Sequence, residues 1–153
     1  MSLLMTISLT QANEKAEEKR QFLCSDGYTS NLREQPNLKA PIVTKLSKYT
    51  PLIKVEEKDK WTKVKTAEFE GWIYNSLVES GLNCVTSLKS YKTHTSYTSN
   101  TPHRYRKRVL TGEGFKILKT ELGMTQVKDK TGNVFWLENH VLWPKNNLQS
   151  LSL

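Results

Sequence analysis

A chain of 153 residues, 37% hydrophobic and 25% charged, has a small core and a large wet surface, which excludes a membrane-embedded body. The length fits one ordinary domain or two very small ones. A net charge of +8 attracts polyanions such as nucleic acid, anionic lipid, or the carboxylates and phosphates of a cell wall; charge alone chooses neither among them nor against a simple solubility role.

The chain opens on an apolar run from Leu3 to Ala12, with Thr10 and Ala12 near its end and the charged stretch "NEKAEEKRQ" directly after it. This order resembles the tail of an export signal, although no basic segment precedes it; the alternative is a short amphipathic segment. Residues 1–22 are read as that remnant plus a charged linker, which predicts a periplasmic or secreted protein. No run reaches the roughly 18 to 20 apolar residues that a spanning helix needs. Cys24 and Cys84 suit an exported chain, in which two cysteines can form one bridge. Neither lies in a Cys-x-x-Cys pair and no histidine stands at metal-ligand spacing from them, so no metal or other cofactor is expected.

From Tyr28 to Glu79, short β-branched and aromatic runs alternate with polar turns, the pattern of strands in a small barrel. The predicted strands lie in "APIVTKLSKYTPLIKVEE", "KWTKVKT" and "EGWIYNSLV". Strand alternation points Trp61 and Lys63 one way and Thr62 and Val64 the other. Lys58 to Lys60 forms the preceding turn and Glu68 to Gly71 the following one, where Gly71 is expected to supply an unusual backbone angle. From Val109 to Leu142 the rhythm returns: a run ending in Leu118, a turn at Thr120 to Gly123, the strand "MTQVKD", a turn at Lys130 to Asn133, and the strand "VFWLENHVL". Val55 precedes Trp61 by the same interval as Leu118 precedes Met124, and the next turn is one residue longer before Trp136 than before Trp72. The agreement in spacing predicts two tandem copies of one five-to-six-strand barrel.

The first half is similar to the bacterial SH3-like domain family. The likeness is carried by "NLREQP" (Asn31 to Pro36), which resembles the family's Asn-x-Arg-x-x-Pro opening, and then, in order, by "LSKYTPLIKVEE", "KWTKVK" and "EGWIYNSLV". The second half resembles the same family in "TGEGFKIL" and "MTQVKDKTGNVFWLENHVL", but its opening, "SYTSNTPHRYRKR", departs from the pattern. The resemblance implies an all-β fold of two tandem small SH3-like β-barrels, at residues 23–82 and 83–144, followed by a tail at 145–153. It also implies binding to cell-wall components or proteins, often beside a hydrolase. Because the first and last strands of such barrels lie close together, Cys24 and Cys84 would stand near each other and form a disulfide; two separately buried thiols are the alternative.

Catalysis requires a nucleophile or an acid–base pair held in geometry. The cysteines and His94, His103 and His140 form no local nucleophile signature, and the glycines of "TGEGF" precede a strand, where turn glycines are the better reading than a phosphate loop. The chain is therefore expected not to be an enzyme. Small barrels bind in shallow grooves through flat amphipathic side chains. The candidate ligand-binding residues are Tyr28, Arg33, Tyr49, Trp61, Trp72 and Tyr74 in the first half, with Glu34 near by. In the second half they are Tyr97, Arg104, Tyr105 and Arg106, with Phe135 and Trp136 as further aromatics. Trp61 and Trp72 equally suit a core role, whereas Tyr28, Tyr49 and Tyr105 sit in loop-like contexts. The basic segment "HRYRKR" is either an anion clamp or a solvated loop.

The expected protein is an exported, non-catalytic module that recognises cell-wall peptidoglycan or a protein partner. One rival is a basic nucleic-acid-binding barrel, which export disfavours; another is an adaptor without wall binding.

Overall fold

The computed structural model describes residues 21–90 and 108–149. They form two antiparallel sheets, an SH3-like all-β fold. The first sheet holds β1 (Phe22–Ser25), β2 (Thr29–Arg33), β3 (Ile42–Ser47), β4 (Pro51–Lys58), β5 (Trp61–Lys65), β6 (Glu70–Tyr74) and β7 (Val78–Glu79), in the order β3-β2-β6-β5-β4-β1-β7. The second holds β8 (Cys84–Ser87), β9 (Gly114–Glu121), β10 (Met124–Lys128), β11 (Val134–Glu138) and β12 (Leu142–Trp143), in the order β11-β10-β9-β8-β12. Residues 80–83, within "ESGLN", connect β7 of the first sheet to β8 of the second.

The two sheets share a frame. The hairpins β4-β5-β6 and β9-β10-β11 match, and β1 and β8 each lie between the long strand and the short last strand of their sheet. In β4, Lys54 faces Val64 and Glu56 faces Lys63, leaving Val55 as the extra residue of a bulge. In β9, Ile117 faces Val127 and Lys119 faces Gln126, leaving Leu118 in the same place. A bulge turns its extra residue out of the ladder, and both side chains are exposed. The hydrophobic residues matched by spacing are thus not core residues.

Alternation then sorts the faces. Leu23, Leu32, Leu46, Leu52, Val64 and Ile73 form the core of the first sheet. Val85, Phe115, Ile117, Val127, Phe135, Leu137 and Leu142 belong to the core of the second, joined by Val109 and Leu148. Burying each such side chain contributes about 1.5 to 3 kcal/mol. With only six residues in the first core, the disulfide and the seam between the sheets matter.

Two local expectations are corrected. "EGWIYNSLV" and "VFWLENHVL" are not continuous strands, because 3-10 turns at Asn75–Leu77 and Asn139–Val141 interrupt them. Each turn is held in the same way: Thr62 and Thr125 donate to the amide oxygens of Asn75 and Asn139, whose backbone N–H groups donate to Lys60 and Gly123. Gly71 lies inside β6 and needs no special angle; an added Cβ would stand 2.7 Å from the Arg33 carbonyl oxygen, so glycine is required by close packing on β2. The turn before β6 is built instead by Thr66, whose hydroxyl accepts from Glu68 and Phe69 N–H. The expected tail begins with a helix, α1 (Lys145–Gln149), docked by buried Leu148 and by Asn147 Nδ2 donating to the Cys84 carbonyl at 2.8 Å.

Candidate binding cleft

The seam between the sheets is built on buried contacts. Cys24 in β1 and Cys84 in β8 are joined as a disulfide with Cα atoms 6.1 Å apart, closing a separation of 60 residues. A loop of that length makes the bond worth about 2 to 4 kcal/mol. Tyr49 covers the disulfide with Leu82. Beside it, Gly114 opens β9 against the backbone of Tyr49 and Thr50: an added Cβ would lie 2.4 Å from the Tyr49 carbonyl carbon. Gly114 N–H donates to Ser47 Oγ at 2.9 Å. Phe22 meets Trp143 edge-on at 6.4 Å, and Lys130 Nζ lies 4.6 Å over the ring of Tyr28.

Among the described residues, the expected binding residues are not brought to one groove. Tyr49 does not lie in an exposed loop: at 7% exposure it is buried over the disulfide, with φ of 68°. Tyr28 is 60% exposed and meets Lys130 of the second sheet. Arg33, Trp61, Trp72 and Tyr74 do share one face, since the register sets Trp61 opposite Tyr74 and Trp72 opposite both Lys63 and Arg33. That face lies opposite the core, so the tryptophans do not fill the core cluster either. Trp61 stacks edge-on against Tyr74 at 5.3 Å, and the Arg33 guanidinium donates to the Ala40 carbonyl at 2.9 Å, pinning the loop at 34–41, where Glu34 is exposed. With Trp61 and Trp72 at 9% and 7% exposure, little aromatic surface is left for a ligand. Phe135 packs in the second core against Phe115, and Trp136 lies under Lys119 Nζ at 5.3 Å. Tyr97, Arg104, Tyr105 and Arg106 lie outside the described residues, as does the apolar run at 3–12.

An open cleft of about 140 Å³ lies instead at the seam, and none of the candidate ligand-binding residues lines it. Its walls are Thr44–Leu46 of β3 with Thr50, the turn at 66–69, Thr86–Leu88, and Thr111 with Gly112. Three consecutive residues of a strand line one cavity only when the cavity meets the strand's edge, because alternate side chains face apart. The lining is rich in hydroxyls. Thr50 and Thr86 donate theirs to the Ser47 and Glu113 carbonyls, and Thr111 pairs with Ser90 at 3.0 Å, so their oxygens are held in fixed positions with acceptor capacity to spare. Phe69 and Leu88 add exposed apolar surface, and exposed Lys45 and Glu68 add one charge of each sign. The volume is below the roughly 300 Å³ of a small-molecule pocket, which suits one ring or one side chain of a longer ligand lying across it.

Of the "TGEGF" glycines, only Gly112, at φ of 82°, serves a turn; Gly114 serves the seam. In the turn after β10, the Asp129 carboxylate accepts from the backbone N–H and side chains of Thr131 and Asn133. Burial acts to raise its pKa, but these hydrogen bonds together outweigh it and leave the pKa below the usual carboxylate value. Among the described residues, no cluster of side chains is suited to a metal and no helix is long and apolar enough to cross a membrane.

The segment from residue 28 to 79, which holds β2 to β7, matches the family model described as bacterial SH3 domain. It belongs to the bacterial SH3 domain family. No curated protein matches the chain significantly. Among solved structures, the chain is similar to NlpC2 from Trichomonas vaginalis at 11% identity and a TM-score of 0.38, over 83% of this chain and 49% of that one. It is similar to NlpC1 from the same organism at 13% identity and a TM-score of 0.37, over 83% and 46%. The chain therefore spans about half the length of these structures. The SH3 domain contributes the Thr44–Leu46 wall, Thr50 and the 66–69 turn to the cleft; the second sheet, beyond the matched segment, supplies the rest.

Proposed function

We propose that this chain is a non-catalytic, exported binding module in which a second copy of the SH3-like frame completes the ligand site of the first, and that its ligand is cell-wall glycopeptide. The observation that carries the reading is the hydroxyl-lined cleft at the seam, open, shallow and bounded by one cation and one anion. Such a surface suits a polymer with sugar hydroxyls, small apolar side chains, and both amino and carboxyl groups. The repeated bulges at Val55 and Leu118 and the paired Thr–Asn clamps of the 3-10 turns support the second copy. The buried disulfide supports an oxidising compartment. Each contact in so small a cleft is weak, and affinity builds up along a polymer that meets many copies of the module.

The test is co-sedimentation with purified peptidoglycan stripped of phosphate polymers. The wild-type chain is expected to pellet, and the exposed-residue variant Lys45→Ala/Phe69→Ala/Leu88→Ala to remain in solution. Wild-type protein left in the supernatant, or a variant that still pellets, would count against the reading.

A further inference from the structure

The shared frame allows the sheets to be compared row by row. In the first sheet Ile53, Lys65 and Glu70 stand abreast across β4, β5 and β6, and Glu56, Lys63 and Trp72 form the neighbouring row. Lys63 and Lys65 reach Glu70 at 3.5 and 4.0 Å, so these rows balance their charge. In the second sheet the same rows read Lys116, Lys128 and Val134, and then Lys119, Gln126 and Trp136. Each acidic position has become lysine or valine, and an isoleucine has become lysine.

Lys116 and Lys128 therefore stand directly opposite each other, where side chains start only about 5 Å apart and like charges repel. The frame does not require this, since the first sheet folds with the neutral arrangement. Among the described residues, none of Lys116, Lys119 and Lys128 is in an ion pair. Lys119 is exposed and the other two are half-buried. The row begins beside the seam, because Lys116 stands opposite Cys84. Lys130 follows in the next turn, lying over exposed Tyr28, which offers a flat face beside the charges.

We infer that this lysine face is a second binding site, distinct from the cleft, for an anionic polymer of phosphodiester-linked polyol or sugar units at the cell surface. The spaced lysines meet successive phosphates, and Tyr28 offers its ring to the units between them. The buried disulfide favours a cell-surface polymer over nucleic acid; only this choice of location rests on the reading given under Proposed function.

The experiment titrates the full chain with poly(glycerol phosphate) chains. Lys116→Gln/Lys119→Gln/Lys128→Gln is expected to weaken binding by more than about tenfold at near-physiological salt and to flatten its salt dependence. The control Lys58→Gln/Lys60→Gln/Lys65→Gln removes the same charge from the first sheet and is expected to change binding little. Lys116→Ile/Lys119→Glu/Val134→Glu carries the first sheet's own residues, so it keeps a fold known to accept them and should lose binding as well. Unchanged affinity in the lysine variants, or an equal loss in the control, would overturn the site. Duplex DNA bound as tightly as the phosphate polymer would overturn the cell-surface assignment. Phosphate-free peptidoglycan should pellet all three variants as it does wild type, so failure of this site and failure of the cleft are separately visible.

Discussion

Gly114 lies so close to Tyr49 that a β-carbon added to it would stand 2.4 Å from the Tyr49 carbonyl carbon, so the second sheet presses backbone to backbone on the first at this point. Its φ is not positive, so the glycine is needed for space and not for backbone conformation. Tyr49 in turn covers the Cys24–Cys84 disulfide. One residue therefore links the seam, the covalent bond and the wall of the cleft at Thr50.

Gly114→Ala is expected to force the seam apart and destabilise the chain by about 1 to 3 kcal/mol, the usual scale of overpacking. The midpoint of urea denaturation checks this. A midpoint equal to wild type would mean that the sheets do not press together here.

Reduction of the disulfide, or Cys24→Ala/Cys84→Ala, should cost about 2 to 4 kcal/mol, because the closed loop is long. With one core of only six residues in the first sheet, the thermal midpoint should fall by many degrees. A melt insensitive to reductant would contradict the structural role of the bond.

Asp129 gives stability a pH dependence of known sign. Its folded pKa lies below its ordinary value of 3.8. The hydrogen bonds from Thr131 and Asn133 therefore contribute fully above that ordinary value and are lost as pH falls from it through the lowered folded pKa. Asp129→Ala should remove this acid-side slope and cost about 1 to 3 kcal/mol at neutral pH, since the turn's donors lose their shared acceptor. Urea midpoints at pH 7 and across the acid range compare the two chains.

Much of the frame was legible because it depends on spacing. The turns at 58–60 and 130–133 and the strand "MTQVKD" follow from polar breaks between alternating residues, and the matched intervals after Val55 and Leu118 mark the bulged hairpins that the two sheets have in common. The meaning of that match was not legible: alternation cannot reveal a bulge, so residues that scan as core point outward. Tyr49 shows a second limit. Its polar neighbours suggest a loop, but burial came from Gly114 and the disulfide, which lie far away in sequence. The cleft was missed for a related reason. Its threonines are ordinary strand and turn residues, and only the docking of β8 and the 111–112 turn on the first sheet gathers them. The signal closest to hand was the second glycine of "TGEGF", which marks an approach of backbones and not a turn.

Leu122 allows a stabilising test of the frame. It is 83% exposed at φ of 50°, followed by Gly123 at 78°, the two-residue hairpin turn that favours Asn-Gly. A leucine in this conformation costs about 1 to 2 kcal/mol that asparagine largely avoids. Leu122→Asn should raise the denaturation midpoint, whereas a lower one would show that the exposed leucine makes a contact.

The most direct measurement is a backbone amide NMR titration of the chain with a soluble muropeptide. Shifts are expected to concentrate at 44–46, 66–69, 86–88 and 111–112, with Trp61, Trp72 and Tyr74 undisturbed. Shifts confined to the Trp61–Tyr74 face, or none at saturating ligand, would contradict a binding site at the seam.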